Sequence, residues 1–488
     1  MKNFIDLLMN ENMTETENGA AAYTSTGSQC LDLFSAAGAL RSNSEDDIID
    51  RFSRAYAEDA DTAMRILFYA RDVRGGLGER RIFRIILKFL AYRHPESVIR
   101  NMSNIAEYGR YDDLMVLMGT PLEDEAVRLI SAQLREDKDA LAKGEQVSLM
   151  AKWLPSANAS SAHTVKTAKR LAGKLGLTER EYRHTLTALR SYIHIIENEL
   201  RSRDYTFDYS EQCSRAMFKY RQAFIRNDRE RYLQYLEDLR QGKTSMNTEN
   251  IYPYEIVDAV LSKGVRSLSA DECAALNTMW AKLPDYACGN ALAVVDTSGS
   301  MYSGTPTPAS VAFSLGIYLA DKNKGPFGGC FMEFSDKPVL IKLKGETFAD
   351  RLRYAASFSR IADTNIEAVF DLILTTAVRN RVKASDLPRT LILISDMEFN
   401  SITSHADRTV FEHAKRKFGK YGYKLPQIVF WNVQSRNGHQ PVRMDEKGVI
   451  LVSGCSAKTF EMVITGNTSP ARFMKETLSS QRYRNICA

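Results

Sequence analysis

Residues 290–300 read NALAVVDTSGS. A near-continuous apolar run ends at Asp296, and Ser298 and Ser300 follow at alternate positions. Without polar alternation, such a run predicts a strand buried on both faces, as in parallel sheets. The same unit recurs outward from it. A helix is expected over 308–321, and GGCFMEF (328–334) and PVLIKL (338–343) read as the two strands of a hairpin. Helices follow at about 346–357 and 365–379. TLILIS (390–395) is another buried strand, again closed by an acid, Asp396. A helix over 405–418 and the strands QIVFWNV (427–433) and GVILVSG (448–454) complete the pattern. Strands alternating with helices predict a doubly wound, mostly parallel, Rossmann-like domain over 288–488, with its ligand crevice at the carboxyl ends of the strands.

Before about residue 285 the period changes. Apolar residues recur at spacings of three and four in 62–70, 79–92, 124–135 and 180–198, and short turns such as GGLG (75–78), HPES (94–97) and GKLGLTE (173–179) separate them. Many short helices in series predict a helical-repeat domain over 30–287, an α-solenoid of HEAT type with degenerate repeats forming an arc or ring. Residues 1–29, including MTETENGAAAYTSTGSQ (13–29), are small and polar and read as an irregular or wrapping arm.

Composition narrows the class. With 488 residues, 44% hydrophobic and 26% charged, the chain has ample material for packed cores. No stretch approaches the roughly 20 apolar residues of a membrane helix, and MKNFIDLLMN is too polar for a secretory leader. Seven cysteines lie far apart with no CxxC, which favours a reducing cytoplasm over a disulfide framework. Charge is uneven. Residues 1–150 hold 18 Lys and Arg against 25 Asp and Glu, whereas 151–190 hold 8 against 2. Such a compact basic segment points to a localised anionic partner.

Three polar clusters fall where a doubly wound sheet brings loops together: Asp296, Ser298 and Ser300; Thr364, 64 residues after Ser300; and Asp396, 32 residues further on. Two carboxylates and three hydroxyls offer only oxygen, which suits a hard cation such as Mg²⁺. Taken singly, each cluster also reads as a solvated turn in which Asp or Ser caps the next helix. An enzyme reading is weak. GxxxxGK[ST], GxSxG and HExxH are all absent, and Ser298 stands where a phosphotransfer site has its second Asp.

DTSGS, a Thr before a helix and an Asp closing a buried strand resemble the metal-ion-dependent adhesion site (MIDAS) of von Willebrand factor A domains. The resemblance covers 288–488. It implies that Ser298, Ser300 and Thr364 contact the metal, that Asp296 and Asp396 act through bound water, and that a partner protein supplies an acidic group. In this chain Met397 follows Asp396 where many relatives have Gly. The phrases ARDVRGGLGERRIF (70–83), EYGRYDDL (107–114), KWLPS (152–156) and SRAMFKYRQAF (214–224) ahead of such a domain resemble the TROVE-module Ro proteins. They are nearer still to a domain-of-unknown-function family related to Ro. That resemblance implies a monomeric ring of helical repeats, closed by the metal domain, that binds single-stranded or misfolded non-coding RNA.

Candidate phosphate-neutralising residues are Lys152, Lys166, Lys169, Arg170, Lys174 and Arg183, with Arg215, Lys219 and Arg221 as a second group beside Tyr220. Lys166, Lys169 and Arg170 share a helix face, and cations mixed with an aromatic suit single-strand binding. Each cluster also reads as an ordinary solvated face. The expected function is a non-enzymatic, cytoplasmic RNA-binding scaffold; the alternative is a metal-dependent protein adapter without RNA. Arg71, Asp72, Arg74 and Arg80, around the glycine-rich turn, are expected to join successive repeats.

Overall fold

The structure is a computed structural model; it describes residues 11–193, 195–261, 268–286, 289–334, 337–358, 365–400, 409–463 and 468–488. Eight strands occur among them. A hairpin of β1 (Met13–Glu15) and β2 (Ala21–Tyr23) comes first. The main sheet holds β3 (Ala291–Asp296), β4 (Cys330–Phe334), β5 (Val339–Lys342), β6 (Thr390–Ser395), β7 (Gln427–Asn432) and β8 (Val449–Ser453). Its order is β5-β4-β3-β6-β7-β8, parallel except for β5, which turns back along β4.

The apolar strands are apolar because both faces are covered. Leu292, Val294, Leu391, Leu393, Ile428 and Phe430 point into one core, shared with helices Ile366–Arg379 and Val410–Lys420. Their neighbours Val295, Ile392, Ile394, Val429 and Trp431 point to the other face, where helix Pro308–Lys322 packs. That second core runs on without a break into the helical part of the chain. No helix among the described residues is long and apolar enough to cross a membrane.

The helical part begins at Gln29–Ala36 and runs to Ala270–Ala281. Helices Ala60–Arg71, Arg80–Arg93 and Glu123–Lys143 stand where the 3.6 period puts them. Capping chemistry marks several helix starts: Asp59 accepts the Thr62 amide ahead of Ala60–Arg71, and Thr178 with Glu181 and Ser269 with Glu272 form capping boxes ahead of Glu179–Tyr192 and Ala270–Ala281. One expectation is corrected. The single helix read over 180–198 ends at Tyr192 and resumes at Ile196–Ser202, and the Asn198 side chain takes the Arg190 carbonyl that the break leaves open.

The arm lies against the sheet domain, as a wrapping segment would, and only its irregular reading is corrected. Residues 11–29 are not irregular throughout, because β1 and β2 pair and then bridge to the sheet domain at Gly19–Asn400 and Tyr23–Gln440. Partners nearly 400 residues away complete strands of three residues, too short to hold alone.

Both ends of the helical array meet the sheet domain. Helix Gln29–Ala36 lies on β8 and on helix Pro470–Leu478. At the far end, helix Pro253–Leu261 lies on Pro308–Lys322, and Trp280 stacks on Phe348 at 4.0 Å. The array also touches itself: Tyr252 donates to the Leu77 carbonyl, 175 residues earlier.

The GGLGER turn is the joint. Arg71 is buried against Asp113 at 2.7 Å, Glu79 takes Arg41, and Asp72 takes Arg482 and Tyr483 of the C-terminal tail. Gly78 has φ +71 and sits against the Tyr252 hydroxyl, so any side chain there collides.

Candidate metal centre

β3 and β6 run parallel with Val295 opposite Ile394, and the strand order reverses between them. That is the switch point at which an open α/β sheet forms its crevice. Asp296 is the last residue of β3 and is fully buried. One of its carboxylate oxygens accepts the Ser298 amide at 2.8 Å, the other the Ser395 hydroxyl at 2.5 Å. Ser298 leads into a short 3₁₀ turn, Gly299–Tyr302, which brings the Ser298 and Ser300 hydroxyls to 3.1 Å. Asp396, just past β6, is buried and accepts the Glu398 amide at 3.2 Å.

Four of the five expected residues therefore stand on one crevice. The fifth, Thr364, lies outside the described residues; the helix after it, Ile366–Arg379, is capped by Asn365.

Burial and the neighbouring Asp396 carboxylate push Asp296 up to about 7. Asp296 has only neutral hydrogen-bond partners, while Asp396 is met by Arg436, and the donors offered are all oxygen. The residues present fit a hard divalent cation on both counts. Among the described residues no three His, Cys, Asp or Glu side chains form a metal site by themselves. The serine hydroxyls are thus integral to any such centre.

The residue after Asp396 resolves the departure noted in the sequence. Met397 adopts φ +69, the left-handed conformation that a Gly takes without cost. The backbone strain falls on a non-glycine residue, and Met397 lies buried under the arm.

Sequence reasoning missed four residues here, Arg436, Glu17, Glu398 and Asn437. Arg436, in the loop after β7, donates to Asp396 at 2.9 Å and pairs with Glu17 of the arm at 2.9 Å. Glu398 is buried and accepts the Glu17 amide at 2.8 Å and Asn437 at 2.9 Å. The arm is thereby fastened to the rim of the crevice. A lone Arg in a loop carries no periodic signal, and nothing local marks its partner across the sheet.

The basic residues are dispersed. Lys152 pairs with Glu197 (3.6 Å), Lys169 with Glu179 (3.0 Å), Arg170 with Glu123 (2.5 Å), Lys174 with Asp124 (2.7 Å) and Arg215 with Glu255 (2.6 Å). Lys219 donates to Tyr220, and Arg221 is buried, donating to the Phe218 carbonyl and lying over its ring. Lys166 and Arg183 are exposed and form no ion pair among the described residues. Much of the basic surplus of 151–190 is thus met by acids of neighbouring helices.

Two family profiles match the chain. One, described as a domain of unknown function (DUF2828), covers residues 16–127 and 120–285; another (DUF7788) covers 290–483. The uncharacterized protein L728 of Acanthamoeba polyphaga mimivirus is 30% identical over 93% of this chain and 85% of its own length. Among solved structures, the Ro (RSR) protein of Deinococcus radiodurans aligns over 93% of this chain and 100% of its own, with a TM-score of 0.43 and 13% identity.

Proposed function

The chain belongs to the DUF2828 family, and from that premise we propose that it is a non-enzymatic, Ro-like RNA-binding scaffold. In this reading its sheet domain holds Mg²⁺ or another divalent cation. The observation that carries the metal half is the meeting of Asp296, Ser298, Ser300 and Asp396 at the switch point. Two carboxylates and neutral hydroxyls leave a divalent ion incompletely neutralised, so it retains affinity for an acidic group on a partner protein. When bound, the ion supplies that electrophilic contact. The chain's own residues orient the donors: Ser395 and the Ser298 amide fix Asp296, and Arg436 and the Glu398 amide fix Asp396.

The RNA half rests on the Ro-like phrases in the sequence and on exposed cations of the helical part, Lys166 and Arg183 foremost. A second reading, a metal-dependent adapter without RNA, is favoured by one observation: five of the nine expected basic residues are paired with carboxylates. A gel shift with single-stranded RNA at about 50 mM salt separates the two, because phosphate contacts are strongest there. The scaffold shifts the RNA, and a nucleic-acid-free protein that leaves it unshifted supports the adapter. Asp296→Ala abolishes recovery of a protein partner in both readings; unchanged recovery contradicts the metal-dependent half.

A further inference from the structure

A cleft of about 320 Å³ opens between the loop around Ser156–Asn158 and helix Glu179–Tyr192. Among its lining residues Asn158, Arg183, His184 and Thr187 can donate hydrogen bonds. No Asp or Glu lines it. Several buried or half-buried guanidinium groups of this protein meet a carboxylate, as Arg71 meets Asp113, Arg41 meets Glu79 and Arg482 meets Asp72.

Arg190 does not. Its guanidinium donates to the carbonyls of Ala151 and Leu154, each at 2.8 Å, and to the Ser156 hydroxyl at 2.7 Å, all neutral. Burial lowers its pKa, the direction expected of a cation removed from water without a compensating anion. Three neutral acceptors fix the group and leave its charge unbalanced. Arg183 and His184, both exposed, stand at the mouth of the same cleft. Thr187 lies one turn beyond Arg183 on the same helix face.

We propose that this cleft seats a phosphodiester of single-stranded RNA. Arg183 and His184 contact the phosphate oxygens at the mouth, and the fixed Arg190 supplies a standing positive field behind them. A phosphate oxyanion matches a carboxylate-free lining that presents guanidinium donors. The volume exceeds that of a phosphate and leaves room for the attached ribose. Placement within residues 151–190, which hold 8 Lys and Arg against 2 Asp and Glu, adds attraction at longer range. The proposal rests on the RNA reading above and assigns that reading a site.

The test measures fluorescence anisotropy of a 5′-fluorescein-labelled uridine 20-mer on the full chain at about 50 mM salt. Wild type binds. Arg183→Ala with His184→Ala weakens binding by about tenfold and flattens the salt dependence by about one unit of slope. Arg183→Lys restores most of the affinity, and Arg128→Ala, an exposed residue on another helix with the same loss of charge, changes nothing. Both lining side chains are exposed, so the melting temperature of the double variant stays at the wild-type value.

If wild type binds and the double variant binds equally well, the cleft assignment falls and the RNA reading stands. Where wild type fails to bind, both fall. Displacement of the 20-mer by micromolar uridine monophosphate overturns the polynucleotide assignment in favour of a free nucleotide.

Discussion

Asp72→Ala is expected to unlatch the C-terminal tail from the helical part. Asp72 is fully buried and collects Arg482 in a bidentate pair, the Tyr483 hydroxyl at 2.9 Å and the Arg74 amide at 2.9 Å. The loss divides unequally among them. Arg482 is 29% exposed, so its guanidinium regains water and the pair is discounted to about 1 kcal/mol. Tyr483 is 3% exposed, and its orphaned hydroxyl costs about 1–2 kcal/mol. The unpaired Arg74 amide adds about 1 kcal/mol. The sum is about 3–4 kcal/mol, with Asp72→Asn near half of that.

Urea unfolding measures the loss, and hydrogen exchange over residues 479–488 reads the latch directly. In a double-mutant cycle, Asp72→Ala and Arg482→Ala couple by about 1 kcal/mol. Burial alone would raise the Asp72 pKa, yet Arg482 and the turn amides hold it below its ordinary 3.8. A lowered folded value means the contribution is complete above pH 3.8 and is lost as pH falls through that lower value. Tail protection in wild type therefore fails on acidification below about pH 4. A loss under about 1 kcal/mol, with exchange of the tail unchanged, refutes the latch.

Further expectations concern other joints. Asp113→Ala leaves Arg71 buried without its carboxylate and costs about 3–5 kcal/mol by urea unfolding; a cost near zero contradicts the pairing. At Gly38 a methyl would lie 2.6 Å from the Gly454 backbone, so Gly38→Ala separates helix Gln29–Ala36 from β8 and lowers the melting temperature by several degrees. A wild-type melt would show that the contact is looser than drawn. Arg436→Gln removes the cation that shares Asp396 with any divalent ion, and Mg²⁺ titration should give a Kd roughly tenfold lower, about 1.4 kcal/mol. An unchanged Kd means that Arg436 and the ion do not compete.

The sheet was legible because its strands are buried on both faces, a condition that writes itself as unbroken Val, Ile and Leu. Asp296 and Asp396 were legible for a related reason: a charged residue closing such a run has to sit at the crevice edge. Long amphipathic helices such as Arg80–Arg93 and Glu123–Lys143 also declare themselves by period. Pairings over large sequence separations were not legible. The arm hairpin, the tail on Asp72, Tyr252 on Leu77 and Arg436 on Asp396 each join residues of which neither shows anything local. The ion pairs of the basic cluster were not legible either, since the acids that meet Lys169, Arg170 and Lys174 come from helices adjacent only in space or past a turn.

The central claim is that side chains at the carboxyl ends of β3 and β6 and in the loops that follow them share one divalent ion. Crystals soaked in Mn²⁺ and measured for anomalous scattering test it most directly. The account predicts one strong peak within coordination distance, about 2.2 Å, of the Ser298 and Ser300 hydroxyls, lost in Asp296→Ala. A peak elsewhere, or none at the switch point in well-ordered wild-type crystals, would contradict it.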